Sequence, residues 1–277
     1  MARRRLVTLT TDLGSAYAAQ MKAVLYQTLG PGEVVDLSHD LRPHAIPEAA
    51  FVFRQMAGGF PAGTVHVAVV DPGVGGRRAP IFVQTKDGSY LVGPDNGVLS
   101  PLAEQLGARA AYRIRPERVR ISGAPPSRTF EGRDLFAPAA ARLALGRSPT
   151  ELGEPTGYLS LHIAEATLAG RSARGEVLHV DRFGNLITNV PTGGIPAAAT
   201  EVEVQVSSGR WRKVPRVGTY EEIAPRAPFA VLGSSFGTLE LAVREGSAAA
   251  RLGAAVTSRV GIRWAAPEGR VRAKEGK

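Results

Sequence analysis

The chain contains no cysteine, so it can hold neither a disulfide framework nor a thiolate site. A cysteine-free chain fits a cytoplasmic location, which is the expectation here. No apolar run approaches the roughly 18 residues of a membrane span, so no membrane partner is expected. The opening "MARRRLVTLTTDLG" is basic but lacks an apolar core, because threonines and Asp12 follow at once. It reads as a first strand and not as a signal peptide. Aromatic residues make up only 6% of the chain, and no basic stripe is interleaved with them. The net charge of +9 therefore needs a location before it can suggest nucleic acid. Five of the nine surplus charges lie in two short ends, residues 3–5 and 268–277. The rest are scattered, as on a solvated surface, and no nucleic-acid partner is expected.

Several chemistry-bearing motifs are also missing. No G-x-G-x-x-G, P-loop, H-E-x-x-H or EF-hand loop occurs. The histidines at 39, 44, 66, 162 and 179 show no metal-ligand spacing, so no metal is expected. His66 sits in an apolar run and reads as a core histidine.

What is present is an ordinary globular composition over 277 residues, 44% apolar and 21% charged. Residues 6–11, 33–37, 64–70, 81–85, 89–92 and 111–114 read as strands, with helices at 16–29, 46–56, 98–106 and 134–145 between them. The run 64–70 is almost continuously apolar, as in a strand buried on both faces. Alternating strands and helices predict an α/β N-terminal domain with a mostly parallel sheet over 1–148. The Gly- and Pro-rich stretch after Gly146 reads as a linker, 149–172. Short strands at 175–181, 185–190, 201–206, 210–214, 229–232, 238–243 and 258–263 then predict a smaller all-β, barrel-like C-terminal domain over 173–265. A charged tail, 266–277, completes the chain.

In an open α/β sheet, ligands bind outside the carboxyl ends of the strands. Asp12, Asp40 and Asp71 all fall there. Asp12 can cap the following helix or accept from ribose hydroxyls. The segment "VVDPGVGGRR", 69–78, leaves a buried strand through Asp71, places three glycines within four residues and ends on Arg77 and Arg78. It either reverses the chain or brings Asp71 and an arginine to one place. Glu131 precedes a helix, where a carboxylate also complements the helix dipole.

Taken in order, "TTDLG", "SHDLRP", "VVDPGVGGRR", "GPDNG", "TFEGRDLFAPAAA", "VDRFGNLITN" and "GSSFGTLELA" closely resemble the hydroxide adenosyltransferases, or S-adenosyl-L-methionine hydrolases, which are relatives of fluorinase and chlorinase. The resemblance spans about 6–262. It implies hydrolysis of S-adenosyl-L-methionine to adenosine and L-methionine by attack of water or hydroxide on C5′, with no cofactor. It further implies a homotrimer with interfacial active sites. Asp71 and Arg78 match the first two members of an Asp-Arg-His triad that activates water, while Glu131 stands where the hydrolases have histidine in "TFHGRD". The resemblance then implies a second carboxylate near Asp71, with Arg78 screening the pair, and one of the two can serve as the base. The extra anion can instead tighten binding of the sulfonium more than it speeds reaction. Asp12 would hold the ribose, Phe130 would line the pocket, and Asp181, Phe183 and Asn185 would meet the methionine or adenine parts. Ser235 falls at the methionine carboxylate, although Phe236 replaces the arginine that follows it in the halogenases. Gly132 stands where the fluorinase has serine, which argues against fluoride. The other readings are a chlorinase-like use of halide and a non-catalytic binder of the same nucleoside.

Overall fold

The computed structural model describes residues 5–30, 34–120, 127–225 and 227–265. The charged tail at 266–277 and the basic residues Arg3 and Arg4 lie outside them. The chain divides into two compact units, Met1–Ile163 and Ala164–Lys277.

In the first unit β1 (Val7–Thr11) leads into α1 (Gly14–Leu29), β2 (Val34–Ser38), α2 (Ile46–Ala57) and β3 (Val65–Val69). A hairpin of β4 (Pro80–Thr85) and β5 (Tyr90–Pro94) follows, then α3 (Ser100–Leu106) and β6 (Ala108–Ile114). The sheet order is β2-β1-β3-β5-β4-β6, with one further strand outside β6. Pairings of β1 with β2 and β3, and of β3 with β5, are parallel, whereas β4 runs antiparallel to both β5 and β6. The tight "KDG" turn, with Gly88 at φ +83°, leaves β4 no other direction. The sheet is therefore mixed, with most strands running one way. Every residue of β1 and β3 is buried.

Helix α1 turns Ala18, Met21, Leu25 and Leu29 to the core, a spacing that keeps one helical face apolar. Against it packs α5 (Ala137–Ala144), after the short α4 (Pro116–Val119). The alanines of α5 are all buried and allow its backbone to lie close to the sheet. The expected helix over 134–145 begins differently: Gly132–Phe136 is a π-helical turn, and α-helix starts only at Ala137. The stretch read as a linker also carries structure. Its first residues form α6 (Pro149–Leu152) and β7 (Gly153–Thr156), and β7 pairs antiparallel with the outer edge of β6. Three of the four β7 residues are exposed, so no apolar alternation marks it as a strand.

The described residues of the second unit are all-β apart from a short α-helix and a 3₁₀ turn at Thr192–Gly194. Its strands are β8 (Thr167–Ala169), β9 (Ser172–Val180), β10 (Leu186–Pro191), β11 (Glu201–Val206), β12 (Arg212–Pro215), β13 (Ala230–Gly233), β14 (Thr238–Ala242) and β15 (Arg259–Arg263), with α7 (Ala248–Leu252) before the last. They form an eight-stranded antiparallel sheet in the order β12-β11-β15-β9-β10-β14-β13, with β8 on β9. A bridge between Arg216 and Val231 links its two ends, giving the expected barrel-like form. Val177, Leu186, Val204, Leu241 and Ile262 are among the residues that fill it. No helix among the described residues is long and apolar enough to cross a membrane.

His66 confirms its reading as a core residue. It is buried in β3, its Nδ1 lies 2.8 Å from Thr8 Oγ1, and the rings of Phe53 and Phe60 meet it edge-on. Burial pushes its pKa down to about 4, only partly opposed by Asp87. The unfolded chain takes up this proton near the ordinary value of about 6.5, whereas the folded chain does so only near 4. Stability is therefore fully present above the upper value and is lost as pH falls through the window, by up to about 3 kcal/mol. Urea unfolding across that window should show the loss, and His66→Gln should flatten it. An unchanged slope in the variant would show that another group is responsible.

Candidate active site

Asp12 directly follows β1 and Asp71 lies two residues beyond β3, both at the carboxyl ends of these parallel strands. The turn after Asp71 is tight: Val74 N–H bonds to the Asp71 carbonyl at 3.3 Å, and Gly76 N–H to the Gly73 carbonyl at 3.0 Å. Gly75 has φ +72°, and a Cβ there would collide with the Arg128 carbonyl. Only glycine meets both conditions without strain. A Cβ at Gly76 would sit 2.9 Å from the Gly73 oxygen. The consequence is that Arg77 faces solvent while Arg78 turns back onto Asp71.

Arg78 Nε lies 3.0 Å from each oxygen of the Asp71 carboxylate, and its Nη2 donates to Asp71 Oδ2 and Glu131 Oε2. All three side chains are well covered, with exposures of 5% for Asp71, 10% for Arg78 and 16% for Glu131. Burial alone would lower the Arg78 pKa, but the hydrogen bonds and charges of Asp71 and Glu131 outweigh it and raise the value. The guanidinium stays charged and also lies over the Phe136 ring, 5.6 Å from its centroid.

The support beneath this cluster comes from two other motifs. In "GPDNG", Asn96 Nδ2 donates to the Val70 carbonyl at 2.9 Å and so fixes the end of β3 just before Asp71. In "TFEGRD", Asp134 accepts from Arg133 at 2.6 Å and from Ser127 N–H at 2.7 Å, tying down the loop that carries Glu131. Burial would raise the Asp134 pKa, but these partners hold it below the usual carboxylate range. Phe130 is buried, with Tyr17 edge-on at 5.2 Å and Arg133 over its face at 5.2 Å. The π-helical turn starting at Gly132 is of a kind found often at functional sites. A Cβ on Gly132 would lie 3.0 Å from Met21 Sδ and 3.3 Å from Phe130, so even a serine needs its neighbours to give way.

Asp12, Asp71, Phe130, Glu131 and Gly132 line one cavity of about 220 Å³. That is below the roughly 300–1,000 Å³ of a typical small-molecule site, so the cavity takes only part of a larger ligand. Asp12 does not cap α1, whose N-terminal residue makes no side-chain cap. Its Oδ2 accepts from His44 N–H at 3.0 Å instead. Asp40, at the same sheet edge, is exposed. Pro43, His44, Val74 and Thr129 also line the cavity and escaped the sequence reading. Their only common signal is adjacency to the named motifs.

In the second unit Asp181, Phe183 and Asn185 form a single turn. Asp181 Oδ1 accepts from the backbone N–H of Phe183 and of Asn185, both at 2.9 Å, and its Oδ2 accepts from Asn185 Nδ2 at 2.9 Å. Gly184 within the turn has φ +83°. Asn185 is buried, and Phe183 is 70% exposed. Ser235 is exposed in the turn between β13 and β14. Near Asp181 lies a pair the sequence did not reveal, Tyr220 hydroxyl to the buried Glu240 carboxylate at 2.5 Å. Burial pushes the Glu240 pKa up, the Tyr220 bond opposes this, and the Asp181 charge adds to the rise.

The comparisons agree with the motif pattern. Residues 7–153 match the family model "SAM hydroxide adenosyltransferase N-terminal domain", and residues 175–261 match the corresponding C-terminal domain. The chain belongs to the SAM hydroxide adenosyltransferase family. Among relatives within reach, the (R)-S-adenosyl-L-methionine hydrolase of Thermus thermophilus is 40% identical, covering 90% of this chain and 96% of that one. The protein of the same name from Salinispora tropica is 37% identical over 91% and 95%. A fluorinase from an Actinoplanes species is more distant, 24% identical over 73% and 76%. A solved structure, an uncharacterized conserved protein from Thermotoga maritima, superposes with a TM-score of 0.86 at 32% identity, covering 93% of this chain and all of that one.

Proposed function

We propose that this chain hydrolyses (R)-S-adenosyl-L-methionine to adenosine and L-methionine. The observation that carries the reading is Arg78 clamped between Asp71 and Glu131, two carboxylates that line one cavity. A water oxygen forms a bond to C5′ while the C5′–S bond breaks, and that electron pair stays on sulfur, leaving neutral methionine. The water proton passes to a carboxylate of the Asp71–Glu131 pair. Arg78 keeps that pair in place and limits their mutual repulsion. The sulfonium is already an activated leaving group, so the step as written needs neither metal nor redox cofactor.

Within this proposal Asp12 accepts from the ribose hydroxyls and Phe130 lines the nucleoside pocket. Asp181, Phe183 and Asn185 contact the methionine or adenine parts, and Ser235 takes the methionine carboxylate. We also infer a cytoplasmic homotrimer with interfacial active sites. The exposed Phe183 ring supports an interface there, since exposed aromatics favour such surfaces.

Incubation with the substrate in ¹⁸O-labelled water tests the reaction. Adenosine carrying the label at its 5′ oxygen is the expected product. Binding of intact substrate at every pH, without turnover, would instead mark the chain as a non-catalytic binder.

A further inference from the structure

The carboxylates around Arg78 also decide which nucleophiles can enter, an inference that rests on the reaction proposed above. Asp71 and Glu131 together carry two formal negative charges against one positive charge on Arg78. Asp12 lines the same cavity and adds a third carboxylate. Two of the three guanidinium nitrogens that an anion could use, Arg78 Nε and Nη2, already point at carboxylate oxygens. All three side chains of the cluster are largely covered, so water screens their field weakly and like charges brought close are strongly disfavoured.

We propose that Glu131 is a specificity-determining residue: its charge, added to that of Asp71, admits only a neutral nucleophile to C5′ and shuts out anions such as halide. A neutral nucleophile delivers its proton to the carboxylate pair as its bond to C5′ forms. Chloride has no proton to deliver and meets a cluster whose two carboxylates outnumber its one guanidinium. Glu131→Gln keeps the shape and one acceptor for Arg78 but removes the charge, leaving Asp71 balanced by Arg78. Were chloride then to react, its bond to C5′ would form as C5′–S breaks, with the electron pair again left on sulfur.

The test compares wild type, Glu131→Gln and Glu131→Asp in chloride against gluconate at matched ionic strength. Adenosine and 5′-chloro-5′-deoxyadenosine are quantified, and chloride-35 NMR line broadening is measured on each protein with adenosine bound. Wild type and Glu131→Asp are expected to ignore chloride by both measures. Glu131→Gln is expected to bind it roughly tenfold or more tightly, seen as line broadening and as chloride inhibition of hydrolysis or a chlorinated product. Equal chloride response in wild type and Glu131→Gln would overturn the inference. No turnover by wild type, with line broadening still in the expected order, would refute the hydrolase reading and leave the anion exclusion standing.

Discussion

Asp71→Asn is expected to lower the rate of adenosine formation by roughly 10²- to 10⁴-fold, the range associated with loss of a positioned general base. The asparagine fits the same space and can still accept from Arg78, whose second partner Glu131 remains in place. The fold should therefore survive, and the loss should appear in kcat more than in KM, because the proton transfer is made only on the way to the transition state. Single-turnover kinetics with the purified variant separate the two. A rate within about tenfold of wild type would move the role of base to Glu131.

Gly75→Ala should be strongly damaging, costing about 2–5 kcal/mol of stability. The residue sits at φ +72°, where a Cβ adds about 1–2 kcal/mol of strain. The same Cβ would also run into the Arg128 carbonyl, and displacing backbone in a packed site costs about 1–3 kcal/mol more. Because the turn is what returns Arg78 to Asp71, activity should fall with stability. Thermal unfolding and turnover measured on the same preparation give both quantities. The control is Gly170→Ala, where φ is +56° but nothing lies within 4 Å of the added Cβ. A loss no larger at Gly75 than at Gly170 would mean that the turn has other ways to close.

Local pattern was enough for much of the architecture. An apolar run such as 64–70 has no use except as a strand covered on both faces, and Val65–Val69 is such a strand. The regular spacing of short strands after residue 172 similarly announced the second, all-β unit. The motif "DPGVGGRR" announced a tight turn but left open whether an arginine returns to Asp71; the structure shows Arg78 doing so, with Gly75 at φ +72°. Where the signal failed, the reason is physical. Strand β7, reading Gly-Glu-Pro-Thr, lies at a sheet edge with its side chains mostly in solvent, so neither alternation nor β-branched residues betray it. The π-helical turn at Gly132–Phe136 changes the hydrogen-bond spacing from i→i+4 to i→i+5 and leaves the composition of a helix unchanged.

By itself, then, the sequence determined the two-unit organisation, the strand edge where the acidic residues gather and the family to which the chain belongs. Those properties depend on residue type and short spacing, which the chain carries locally. Tertiary structure alone decided that Asp12 accepts from His44 instead of capping α1, that Glu131 reaches the same guanidinium as Asp71, and that Tyr220 meets Glu240. Each joins residues 20 or more apart in the chain, and their meeting depends on how strands and loops pack, which no local pattern encodes.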